Sequence, residues 1–224
     1  MDEVLDPFEI RVLAVLAEKE GLTPDNYPLS LNALTNGCNQ LSSREPVMQI
    51  SEDTVADVLA RLGERKLVST VSQSGARVVK YEHRMRMKWT LEQDKLAVLT
   101  ILMLRGPQTA GEIRTRTGRL HEFKSVAEVE TALQFLIDKY PSLVSKLPLA
   151  PGSREPRYGQ LLGGEDALAR DATAGAFGGA AGGAGEGGAT RADRVAQLEQ
   201  EVASLREEVV ALAAQVAELR SVIE

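Results

Sequence analysis

The sequence predicts a mainly α protein with small β-wings, built from two tandem winged-helix domains and a C-terminal coiled-coil helix. Three observations predict it. A set of capped amphipathic helices followed by a strand pair occurs twice. A Gly/Ala-rich stretch then interrupts the globular composition. A strict heptad repeat closes the chain.

The first set begins at "DPFE". Asp6 is an N-cap, Pro7 takes the first helical position, and Glu9 lies three residues after the cap. Leu13 and Leu16 continue the apolar face begun by Phe8. Ser30 caps a short helix that turns Leu31 and Leu34 inward. Ser51 caps a third, with Val55, Val58, Leu59 and Leu62 on one face. The hairpin signal "LVSTV", "SQSGA", "RVVKY" follows.

The same order then recurs. Thr90 with Gln93 reads as a capping box before Leu96, Leu99 and Leu102. Thr109 with Glu112 reads as another, ended by Gly118, and Ser125 with Glu128 as a third before Val129, Leu133 and Leu136. The runs "LVSKLPL" and "RYGQLL" supply the second wing, separated by "APGSREP". In this repeat Ser51 corresponds to Ser125. The tetrapeptide "SREP" also occurs twice, but once before a third helix and once inside a wing turn. Its two copies are turn chemistry rather than equivalent sites. The domains are therefore residues 1–88 and 89–162.

Residues 163–190 hold 10 of the 19 glycines and read as a flexible linker. Residues 191–224 carry the heptad. Val195, Val202, Val209, Val216 and Ile223 occupy a, and Leu198, Leu205, Leu212 and Leu219 occupy d. β-Branched a and leucine d positions favour a parallel two-stranded coiled coil, here a homodimer. Arg194 would face Glu199 of the partner helix, and Glu201 would face Arg206. The alternative is a single amphipathic helix packed on the body.

Composition narrows the function classes. Apolar residues make up 43% of the 224, and there is a single cysteine, Cys38. No intrachain disulfide, signal-like apolar run or membrane-length segment is present, so a cytoplasmic protein with no membrane partner is expected. The net charge of −6 belongs to residues 165–224, because residues 1–164 hold 21 basic and 21 acidic side chains. The body can therefore meet an anionic partner.

The body resembles the YceH-like family, bacterial proteins of tandem winged-helix fold and no settled activity. The stretches that carry the resemblance are "YPLSLNALTNGCNQ", "SREPVM", "SGARVVKYEHR", "RGPQTAGEIRTRTGRLHEF" and "REPRYGQLL", within residues 5–162. The resemblance implies the fold and lends no catalytic residues.

No catalytic, cofactor or metal site is expected. Cys38 lacks a neighbouring base, and His83 and His121 stand in separate segments without ligand spacing. No P-loop or dinucleotide fingerprint occurs. The chain is therefore read as nonenzymatic. Basic residues supply the remaining candidates. Arg77, Lys80, Arg84, Arg86 and Lys88 run through and beyond the first wing, and Arg84, Arg86 and Lys88 would share a face if extended. Arg114, Arg116 and Arg119 lie on the second helix of the second domain. In "NQLSSREP", Asn39, Gln40, Ser42, Ser43 and Arg44 offer donors to phosphate, or form a structural loop. The third helices start acidic, with Glu52, Asp53 and Asp57 in one and Glu128 and Glu130 in the other. That is good helix chemistry and poor groove chemistry. Two functions fit. One is a nucleic-acid-associated regulator contacting DNA backbone through basic wings. The other is a protein–protein adaptor that uses winged helices as docking modules for an unidentified partner protein.

Overall fold

Asp6 starts the first helix, α1 (Pro7–Leu22), as its spacing predicts. Its Oδ1 accepts from the Phe8 and Glu9 amides at 2.8 Å each, and Glu9 Oε2 accepts from the Asp6 amide at 2.9 Å. The structure is a computed structural model that describes residues 4–71, 78–149 and 153–178, with side chains as far as residue 171. It is mainly helical with small antiparallel sheets.

α1 is buried without a break from Glu9 to Glu18. A helix buried all round must lie at the centre of its fold. α2 (Leu31–Cys38) and α3 (Glu52–Glu64) pack on it. Ser30 and Ser51 cap them as predicted, accepting from the Ala33 and Thr54 amides at 3.3 and 3.1 Å. Gly37 lets α2 approach α1 closely, since a Cβ there would fall 2.6 Å from Val15 Cγ1. Phe8 is 42% exposed and does not open the apolar face of α1, which instead runs through buried Ile10, Leu13 and Leu16.

The first wing has three strands where the hairpin signal predicts two. β1 (Leu29–Ser30), β2 (Val68–Val71) and β3 (Lys80–His83) pair antiparallel in the order β1-β3-β2. Leu29 lies opposite Tyr81 on one edge, and Val68 lies opposite His83 on the other. β1 has only two residues, too short for a periodic signal.

A short helix, α4 (Met85–Trp89), replaces the extended run expected after this wing, and Thr90 ends it in the left-handed region at φ 49°. Thr90 therefore does not cap the next helix. The N-cap of α5 (Gln93–Arg105) is Glu92, which makes no side-chain capping bond. α6 (Ala110–Thr117) has the predicted Thr109–Glu112 box. α7 (Val126–Asp138) has half of one. Ser125 Oγ accepts from the Glu128 amide, but the Glu128 carboxylate accepts from Lys124 instead. β4 (Val144–Lys146) and β5 (Tyr158–Gln160) form the second sheet.

Three helices followed by an antiparallel strand pair occur twice in the element order, with β1 added between α1 and α2 in the first set. The halves share one apolar core, with α1 packed along α5. The stretch read as linker from residue 163 begins with α8 (Glu165–Gly178). Leu168 is buried on β5 beside Gly159, which anchors this alanine-rich segment as a helix. The positions Val195, Leu198, Val202, Leu205, Val209, Leu212, Val216, Leu219 and Ile223 lie outside the described residues, as does Arg77.

Candidate functional site

The basic series after the first wing divides by helix geometry. Over α4, residues two apart point about 200° from each other and residues four apart share a face. Lys88 is exposed, whereas Arg84, at the N-cap, and Arg86 are both half-buried, and Arg86 is the one engaged with α1. The single face expected for Arg84, Arg86 and Lys88 is lost, because the segment is helical rather than extended. Arg86 donates to Glu20 at 3.0 and 3.2 Å and to the side-chain oxygen of Gln93. Gln93 in turn donates to the Leu120 carbonyl at 2.9 Å, so this chain of bonds ties the two halves together.

Glu20 is the hub. His83 Nδ1 accepts from the Met85 amide at 3.2 Å, which leaves the proton on Nε2 to reach Glu20 Oε2 at 3.2 Å. The hydrogen bond from His83, with the hydrogen bonds and charge of Arg86, holds the Glu20 carboxyl below the usual range against the opposing effect of burial. The Tyr27 hydroxyl accepts from the His83 amide at 2.8 Å, and burial pushes that phenol well above its ordinary value. Lys80 lies in β3, half-buried, and Arg84 is 3.9 Å from Glu82.

Arg44 is not available to a phosphate. It is 5% exposed, and its guanidinium bonds Glu18, the Gly37 and Ser43 carbonyls and Gln40. Arg11 braces the same loop through the Cys38 and Pro46 carbonyls at 3.1 and 2.6 Å. Asn39 pairs both ways with the Ile50 backbone at 2.8 Å, and Ser43 Oγ accepts from Arg105 at 2.6 Å. "NQLSSREP" is therefore a loop held by its own side chains. Cys38 is fully buried, and burial pushes its thiol up to about 12.

In the second half, Arg114 caps the turn before α7 through the Phe123 and Lys124 carbonyls at 3.2 and 3.0 Å. Arg116 is 3.8 Å from Glu112, which Arg157 also approaches at 3.4 Å. Arg119 is exposed. Sequence reasoning missed Arg11 and Arg157, because an isolated arginine carries no local mark of what it will meet. Glu52, Asp53, Asp57, Glu128 and Glu130 are exposed as their helix phases predict. α7 also presents Val126 and Phe135, 39% and 41% exposed, with Tyr140 fully exposed just beyond it. The Lys95 and Lys139 ammonium groups each lie 5.2 Å from the Phe135 ring centre.

Residues 5–153 match the family model described as "Protein of unknown function, DUF480". The chain belongs to the DUF480 family. Relatives named UPF0502 protein bear this out. One from Herminiimonas arsenicoxydans is 62% identical, covering 99% of this chain and 91% of its own. One from Janthinobacterium sp. (strain Marseille) is 62% identical over 89% of this chain and 82% of its own. One from Azoarcus sp. (strain BH72) is 52% identical over 98% and 91%. The DUF480 match agrees with the YceH-like resemblance and contains every helix from α1 to α7, the first wing, and β4 of the second; β5 lies beyond it.

Proposed function

We propose that this DUF480 protein is a nonenzymatic regulator of two tandem winged-helix domains that contacts nucleic-acid backbone through its first wing and α4. The reading is carried by one observation. Arg84, the N-cap of α4, and Lys88 within it follow Lys80 of β3 closely along the chain, and only Glu82 approaches Arg84 as an ion-pair partner among the described residues. Backbone contact suits cations at a surface and needs no groove-entering third helix. Arg116 on α6 and Arg119 in the turn just after it would extend the contact, and a parallel coiled coil over residues 191–224 would bring two copies together. Fluorescence anisotropy with a labelled 20-base-pair duplex over a salt series tests it. The triple variant Lys80→Ala, Arg84→Ala, Lys88→Ala should bind more weakly and flatten the log–log salt slope by ~0.9 per lost phosphate contact. An unchanged slope overturns the reading.

A second reading has its own observation. Phe135 and Tyr140 expose aromatic surface beside the acidic face of α7, a combination better suited to a protein partner than to a polyanion. Loss of a co-purifying protein on Phe135→Ser with Tyr140→Ser would favour the adaptor.

A further inference from the structure

A cleft of about 470 Å³ lies between the start of α1, the loop joining α2 to α3, the end of α5 and the start of α8. That volume falls within the range of small-molecule sites. Ile10, Met48, Leu102 and Met103 make its walls largely aliphatic.

Arg11 lines the same cleft and is 1% exposed. Its two hydrogen bonds go to neutral backbone carbonyls, and its Nε has no acceptor among the described residues. No carboxylate among them forms an ion pair with it, because Glu18 is committed to Arg44 and Lys19. Two buried guanidiniums therefore stand near one carboxylate. Burial first, then repulsion from Arg44, lowers the proton affinity of Arg11. A buried cation without its counter-ion is costly, and an anion reaching it recovers that cost. Gln160 lines the cleft as well. Its Oε1 accepts from the Leu162 and Gly163 amides, which leaves Nε2 without an acceptor among the described residues.

Acidic groups restrict what can enter. Asp6 is engaged with Arg61 and with the α1 amides, while Glu45 and Asp171 are exposed at the rim beside Arg170. They oppose a dianion more than a monoanion.

We propose that this cleft binds a small monocarboxylate with an aliphatic body, its carboxylate received by Arg11 and Gln160 and its chain laid against α5. The site is independent of the nucleic-acid reading. Isothermal titration of the full chain with octanoate, 1-octanol and octyl phosphate tests it. Octanoate should bind saturably, one per chain, and both other ligands at least about tenfold more weakly. Arg11→Met also removes two backbone contacts, so Ala167→Phe, which fills the cleft from a half-exposed position on α8, is the cleaner block. It should abolish octanoate binding with an unchanged melting curve. No octanoate binding, equal binding of 1-octanol, or octanoate binding that survives Ala167→Phe would each overturn the proposal.

Discussion

Arg44 and Glu18 form a two-pronged ion pair, with Nη1 and Nη2 donating to Oε1 and Oε2 at 3.0 and 2.6 Å. The arginine side chain is fully buried, and the pair fastens the loop after α2 to α1. Removing Arg44 leaves the buried Glu18 carboxylate with Lys19 alone as its ion-pair partner among the described residues. Arg44→Ala should lower the unfolding free energy by about 3–5 kcal/mol in urea titrations. Arg44→Lys should recover little, because an ammonium cannot span both oxygens. A loss below about 1 kcal/mol would show that the loop is held mainly by Arg11 and Asn39.

The same pair makes stability depend on acid. Burial alone would raise the Glu18 carboxyl, but hydrogen bonding and charge from Arg44 outweigh it, and the group titrates below its ordinary value of 4.5. A carboxyl depressed in the folded state stabilises above its unfolded pKa, and that contribution fades as pH falls through the folded one. Wild-type stability should therefore fall on acidification below about pH 4.5, and Glu18→Gln should show a shallower fall. Parallel pH profiles of urea midpoints would contradict this.

Arg86 and Lys88 should separate stability from binding. Arg86→Ala breaks the link from Glu20 to Gln93 and should cost about 1 kcal/mol, discounted because the side chain is 34% exposed. Lys88→Ala should leave thermal stability within about 0.5 kcal/mol and weaken duplex binding. The reverse assignment, measured by melting and anisotropy on the same two proteins, would refute the helical partition of this segment.

Cys38 should be silent. Its buried thiol, pushed up to about 12, should resist iodoacetamide at pH 8 until urea unfolds the chain. Cys38→Ala should cost about 1 kcal/mol. Rapid labelling of the folded protein would mean that α2 opens readily.

If the heptad seam from Val195 to Ile223 pairs two chains, as we propose, removing residues 191–224 should convert a dimer to a monomer in sedimentation. An unchanged mass would place the contact elsewhere, or exclude it.

Local chemistry was determined by the sequence alone. Asp6, Ser30, Ser51, Thr109 and Ser125 mark helix starts because a cap acts within three residues of itself. The inward faces of α3 and α7 follow from a 3.6-residue period in the same way. Thr90 shows the limit, since its spacing fits a box while its left-handed backbone ends α4. Only the tertiary structure decided what the long cations do. Arg44 meets Glu18 across 26 residues, and Arg86 meets Glu20 across 66. Nothing near either arginine distinguishes it from Lys88, which stays at the surface. The pairing of β1 with β3, the docking of α8 by Leu168 and the burial of Arg11 at its cleft likewise depend on contacts between segments distant in sequence. Capping and periodicity are short-range and can be read in order along the chain. Charge pairing and burial are set by which surfaces meet when α1 packs against α5.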